Sequence, residues 1–366
     1  MVPLTKHLEG YNRQTFASDA NAGLVVGMVT IPQAIAYALL AGVPPEAGLY
    51  ACLLPMILYS LFGSSKHLVV GPVAIAALLI VSTVSEHAPK FSSEYLHITQ
   101  IVCIEVALIF MVLKILKLGA LTNLISHPVL TGFVNGAVLL IIISQLSTIA
   151  GVNGISGLSA SDSLSHLINE TSDFKTLSLT LGLGAIVFLI CFKWIIKRKT
   201  ARDPENAPNQ REHLIIGMGP IILVSTSIMF VYSFDGATTL QTVGHIPNGL
   251  PSLLIPDVDL QIWLSMLPGS FIIALVTYIE SYSIATTLAN KEQKTIDSQQ
   301  ELFALSAANL GAGLTGAYPV AGSFTRSSVN YFSGAKTPMS SLICALLIII
   351  SLLFFTELFS LLPLAI

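Results

Sequence analysis

Residues 319–330 read PVAGSFTRSSVN, and this stretch decides the architecture. It lies between apolar runs at 300–317 and 338–357, in a chain that is 53% hydrophobic and only 10% charged. A soluble domain carries about 25% charged residues, so this chain lacks the charge to cover a water-facing surface. Runs of about 20 apolar residues cross a ~30 Å hydrocarbon core as helices. The stretch 319–330 cannot cross that way, because it is short, polar, broken by Pro319 and Gly322, and carries Arg326. A second stretch departs in the same manner: LVVGPVAIAALLIVS at 68–82 opens on β-branched residues and then meets Gly71 and Pro72. Each is expected to enter the membrane as extended chain and to start a helix near the midplane, around Pro72–Val73 and Ser323–Phe324. Open backbone groups at that depth need protein or a water-lined cavity around them.

The remaining apolar segments fall near 22–41, 48–63, 99–118, 127–151, 177–196, 213–234 and 262–289. A further run, LFSLLPLAI at 358–366, carries no polar flank before the last residue, which suggests a chain that continues. Lysine and arginine set the orientation. With the N-terminus inside, fourteen of them fall on the cytoplasmic side and only Lys90 and Lys175 outside, provided both broken stretches count as crossings. The polar stretch 197–213, KRKTARDPENAPNQREH, is then a solvated cytoplasmic loop.

An internal echo accompanies the two broken stretches. VTIPQAIA (29–36) in the first span resembles VTYIESYSIA (276–285) in the eighth, each with a polar residue three positions after the threonine: Gln33 or Glu280. Gln33 precedes Gly71 by 38 residues and Glu280 precedes Gly322 by 42. Seven spans separate the copies, an odd number, so the second is inverted. Interrupted segments at matching places in two inverted halves point to a transporter's binding site.

Arg326 is the one cation expected inside a crossing. A charge at the bilayer centre costs about 2.5–3.5 kcal/mol on insertion scales, so it faces a cavity or a partner. A helix N-terminus carries roughly +0.5 charge and open N–H donors. Two such ends plus a guanidinium suit a small anion, with Ser323 and Thr325 adding hydroxyls and Gln33 an amide. The competing reading pairs Arg326 with Glu280 as a structural ion pair. Glu280 could instead take up a proton with the anion, since burial favours the neutral acid. Glu105, one turn into the fourth span, and Asp297 and Glu301, at the start of the ninth, are weaker candidates; Asp297 reads as a helix cap. Asn135 and Asn309 read as packing polar groups.

Other functions find no support. Cys52, Cys103, Cys191 and Cys344 sit in separate apolar runs without CxxC spacing, and the eight histidines show no metal spacing. No metal or other cofactor is expected. There is no HExxH, GxSxG or P-loop, so no enzyme and no direct ATP drive is expected. A net charge of −3 argues against a nucleic-acid partner. No cleavable signal peptide is evident in residues 1–20.

The stretches at 31–79 (IPQAIAYALLAGVPPEAGLYACLLPMILYSLFGSSKHLVVGPVAIAALL), 243–258 (VGHIPNGLPSLLIPDV), 278–338 and 358–366 together resemble the SulP family of anion permeases, the sulfate permease or solute carrier 26-like transporters. The resemblance covers essentially the whole chain. It implies an all-α integral membrane fold of fourteen spans in two inverted repeats of seven, with two broken half-helix segments. The last two to three spans are then missing from this chain. It implies a cytoplasmic N-terminal segment (1–18), a core domain from 19–118 and 262–357, a gate domain at 119–234, an outer loop at 235–261, and the start of a truncated gate span at 358–366. Members usually add a cytoplasmic STAS domain, which these residues do not include, so a longer protein is expected. Carried over by motif, the anion site comprises Gln33 and Tyr37, Val73 and Ala74, and Ser323, Phe324, Thr325 and Arg326, with Glu280 as the ion-coupling residue.

The resemblance also implies elevator-type alternating access and a homodimer. The expected function is secondary active transport of a small inorganic anion, sulfate first, coupled to protons. Sodium-coupled bicarbonate symport and an uncoupled channel or exchanger are the alternatives. A Glu in the eighth span leans toward proton coupling, since the sodium-driven bicarbonate members tend to an Asp. Compact loops and a short N-terminus suggest a bacterial inner membrane.

Overall fold

Two antiparallel pairs of residues join distant parts of the chain in its computed structural model: Val70 opposite Gly322, and Gly71 opposite Ala321. The structure describes residues 3–119, isolated positions between 132 and 151, and residues 175–200, 209–233, 240–254, 256 and 259–364. In chain order the elements are α1 (Pro3–His7), α2 (Arg13–Ala41), α3 (Pro45–Tyr50), α4 (Leu54–Phe62), β1 (Val70–Gly71), α5 (Ala74–Val84) and α6 (Ser93–Ile115), then α7 (Thr176–Thr200) and α8 (Asn209–Ser233). The chain continues through α9 (Leu260–Lys291), α10 (Ser298–Leu314), β2 (Ala321–Gly322), α11 (Phe324–Phe332), α12 (Met339–Phe354) and α13 (Thr356–Ser360). They pack as two compact units, one of residues 1–125 and 249–353, the other of 126–248 and 354–366.

In the first unit α10 packs against α6 and α4, and α6 packs along α9. Helix α2 lies against α3, α5 and α11, while α9 lies against α5, β2 and α11. The broken segments are therefore flanked by the two helices that carry the sequence echo. That echo is visible in the hydrogen bonds too: Thr30 donates to the Val26 carbonyl and Thr277 to the Ile273 carbonyl, each four residues back. Gly48 is required where α3 crosses α2, since a Cβ there would stand 2.0 Å from the Ala34 oxygen.

Helix ends follow their caps rather than the edges of the apolar runs. Asn12 accepts from the Thr15 amide and starts α2 nine residues before the run at 22. Ser92 does the same for α6 through the Tyr95 amide. Asp297 caps α10 by accepting from Gln299 and Gln300, as its position suggested. The expected second span divides at residues 51–53 into α3 and α4, where Pro55 supplies no N–H to continue the ladder. The expected eleventh span ends as a helix at Phe354.

Among the described residues five helical stretches are long and apolar enough to cross a membrane: Arg13–Ala41, Pro45–Phe62, Ser93–Ile115, Thr176–Arg198 and Leu260–Lys291. About half of the segment 127–151, and residues 201–208 of the loop at 197–213, lie outside the described residues; the rest of that loop, 197–200 and 209–213, belongs to the ends of α7 and α8. In the second unit α7 and α8 pack together, and Thr242 bridges Pro363. Asn135 is exposed, not packed.

Candidate functional site

The two short helices begin where the ribbon ends. Val73 precedes α5 and Ser323 precedes α11, both in extended conformation. Because β1 and β2 are antiparallel, the helices leave in opposite directions and turn their N-termini toward the ribbon between them. No side chain caps α5, so the amides of its first turn are open. Ser323 accepts from the Arg326 amide at 3.5 Å, and its hydroxyl lies 3.3 Å from that of Thr325.

A buried backbone outside regular helix needs partners, and small buried side chains supply them. Ser281 accepts from the Gly322 amide at 2.8 Å, and Ser327 accepts from Val69 at 2.9 Å. Asn330 donates to the His67 carbonyl. Asn309 accepts from the Val320 amide and donates to the Val320 carbonyl, at 2.9 and 3.1 Å. Sequence reading passed over the first three; their only signal is a small polar residue beside a broken segment. Asn309→Ala leaves both polar groups of Val320 unpaired, at about 1–3 kcal/mol each. Its melting temperature in detergent is expected to fall by several degrees, and an unchanged value would mean the pair is dispensable.

Arg326 is fully buried. Its Nη2 donates to the Pro72 carbonyl at 2.7 Å, while Nε and Nη1 have no partner. The guanidinium lies flat against β1, where a Cβ on Gly71 would stand 3.3 Å from Nη2. Among the described residues no carboxylate oxygen lies within 4.0 Å of its nitrogens, so the ion pair with Glu280 does not form. Glu280, on α9 next to Ser281, keeps Oε2 buried and unpartnered, and Gln33 on α2 keeps Oε1 in the same state. Tyr37 follows Gln33 by one turn and is half-buried. Val73 and Ser323 are buried, Ala74 is half-buried, and Phe324 and Thr325 are exposed. The structure thus places the expected site residues on, or at the starts of, the four helices around the ribbon, with the arginine against β1.

The other acids near this ribbon are satisfied. Glu301 accepts from Tyr59, from the Ser64 amide and hydroxyl, and from the Ser65 amide. Glu292, at the end of α9, is held by Lys66 at 2.7 Å and by His67 at 2.9 Å, just before the chain enters β1. Burial alone pushes the Glu292 carboxyl up, but hydrogen bonds from Lys66 and His67 outweigh it and hold the group at about 2. Burial pushes His67 down to about 4, so at neutral pH it donates to Glu292 as a neutral ring.

Comparison with known proteins fits this geometry. The model of the sulfate permease family matches residues 16–366. A probable sulfate transporter 4.2 of Arabidopsis thaliana is 34% identical over 350 residues, which cover 96% of this chain and 50% of that protein. A probable sulfate transporter of Mycobacterium tuberculosis is 32% identical, over 97% of this chain and 60% of its own length. The chain spans about half the length of several of the curated relatives it matches. Among solved structures, murine Solute Carrier 26 family member A9 in the inward-facing state aligns with a TM-score of 0.87 at 24% identity, covering all of this chain and 61% of that one. The transmembrane domain of a cyanobacterium bicarbonate transporter, BicA, aligns at 0.80 and 21% identity, over 97% and 86%. At those identities the likeness concerns the fold, which is that of a helical membrane transporter.

Proposed function

The chain belongs to the sulfate permease family and is an integral membrane protein, and from that premise we propose that it carries a small inorganic anion, sulfate, together with a proton. The observation that supports this most is the buried Arg326, with no carboxylate oxygen within 4.0 Å among the described residues and two nitrogens unpartnered. An isolated buried charge is costly, and an anion is the partner it lacks. The open amides of α5 and α11, with the hydroxyls of Ser323 and Thr325, would contact the anion. Val73, Ala74 and Phe324 shape its seat, and Gln33 and Tyr37 close it from α2. Arg326 supplies charge from its place against β1. The curated relatives named as sulfate transporters support sulfate as the first choice.

Glu280 is the coupling group in this reading. Ionised, it offsets the Arg326 charge; protonated, it leaves that charge to the anion. Proton and anion therefore favour each other's binding. The first unit then works as the moving core and the second as the gate, in an elevator cycle, within a homodimer whose N-termini lie in the cytoplasm of a bacterium. Bicarbonate with sodium is the second reading, because open amides and hydroxyls serve any small oxyanion.

Uptake of radiolabelled sulfate into proteoliposomes, with and without an inward proton gradient at fixed sodium, tests the proposal. Accumulation that follows the gradient and is competed away by unlabelled sulfate is the expected result. Sulfate left at equilibrium under every proton gradient, with sodium-dependent bicarbonate uptake, would replace it with the second reading.

A further inference from the structure

Buried acids in the first unit fall into two groups. Asp19 accepts from Lys336 N, Thr337 N and Thr337 Oγ1, and Glu301 accepts four hydrogen bonds. Donors are aimed at both of these carboxylates. Glu105 and Glu280 are different: both oxygens of Glu105 and Oε2 of Glu280 are buried without a partner. The mechanism above uses Glu280 and leaves Glu105 unexplained.

Glu105 is the thirteenth residue of the 23-residue α6, in mid-helix rather than one turn in, because Ser92 starts the helix early. It is 2% exposed. Across the seam it faces Ser270 of α9, which is fully buried with its own hydroxyl unpartnered. Among the described residues the other walls offer nothing charged. At this level α5 contributes Thr83, packed at Gly269 with its hydroxyl on the Leu79 carbonyl. Helix α10 contributes Ser306, whose hydroxyl is on the Ala107 carbonyl. Among the described residues no lysine, arginine, histidine or second carboxylate acts on Glu105. An ionised carboxylate in such a place costs several kcal/mol. A carboxylic acid, by contrast, fits it, with an O–H to donate to the Ser270 oxygen.

We propose that Glu105 is a second proton-binding site of the core, with Ser270 as the acceptor of its acid hydrogen. Ser270 and Glu280 are ten residues apart on α9, or about 15 Å along the axis, so the two acids load separately. This rests on the reading of Glu280 as the first proton site and extends it. Sulfate brings two negative charges, and a proton on each acid makes the loaded complex carry the anion without net charge movement.

Two measurements test it. In proteoliposomes, E105Q is expected to keep sulfate exchange but to admit one fewer proton per sulfate, and its uptake becomes sensitive to membrane potential where the wild type's is not. In infrared difference spectra between low and high pH, which need no transport, a carboxylic C=O band of the wild type is lost in E105Q and shifted in E105D. A proton-to-sulfate ratio and potential dependence unchanged in E105Q, with no band that responds to position 105, would overturn the proposal. Failure of the Glu280 reading looks different: E280Q would keep the full wild-type proton-to-sulfate ratio, and the double variant E105Q/E280Q would still accumulate sulfate with the gradient.

Discussion

Glu280→Gln is expected to remove one coupled proton per sulfate, and together with Glu105→Gln to abolish accumulation by a proton gradient, while leaving sulfate–sulfate exchange in place. Glutamine keeps the size and the hydrogen-bonding oxygen of the acid but cannot change its charge. The buried Oε2 has no protein donor to replace, so the fold has little to lose. Each pH unit across the membrane supplies about 1.36 kcal/mol per proton, which is tenfold in accumulation. The single mutant is therefore expected to concentrate sulfate about tenfold less per unit of gradient than the wild type, and the double mutant to sit at equilibrium. Counterflow in the same vesicles separates lost coupling from lost binding. Accumulation at the wild-type level in the single mutant would remove Glu280 from the coupling role.

The second large effect is at Arg326. Methionine in its place fills most of the volume and removes the charge. An unpaired buried cation destabilises the empty protein, and well-packed apolar replacements of buried charges are often neutral or stabilising by about 1–4 kcal/mol. The Pro72 carbonyl loses its donor at a cost of about 1–3 kcal/mol, which offsets part of that gain. Arg326→Met is thus expected to melt close to the wild type when empty. With sulfate added, the wild type should gain stability through ligand binding to the folded state, and the variant should gain almost none. A wild-type-sized sulfate shift in the variant would show that the arginine's charge does not serve the anion.

Much of this arrangement was legible in the residues themselves. Gly71, Pro72, Pro319 and Gly322 marked the extended pieces, because neither pair sits within a regular spanning helix. The helix starts at Ala74 and Phe324 followed from them. Less legible was everything that depends on distance across the fold. Arg326 could have met Glu280 or stood alone, and only three-dimensional packing places it on the Pro72 carbonyl instead. Ser281, Ser327 and Asn330 are ordinary polar residues in sequence, and they acquire a task only when the open backbone of another segment arrives beside them. The break between α3 and α4 was missed because apolar content does not register a turn, and the early start of α6 because a cap is polar.

The ribbon between β1 and β2 also constrains how the protein is made. Its partners, Val70 and Gly322, lie about 250 residues apart in the chain. At roughly 5–20 residues per second, the ribosome needs on the order of tens of seconds to deliver the second strand after the first. Through that interval the nascent chain holds a half-length helix and a stretch of unpaired backbone at membrane depth. Closing so long a loop is slow as well. The first half must therefore wait in a partly sheltered form, and the binding seat is among the last features of the molecule to come into existence.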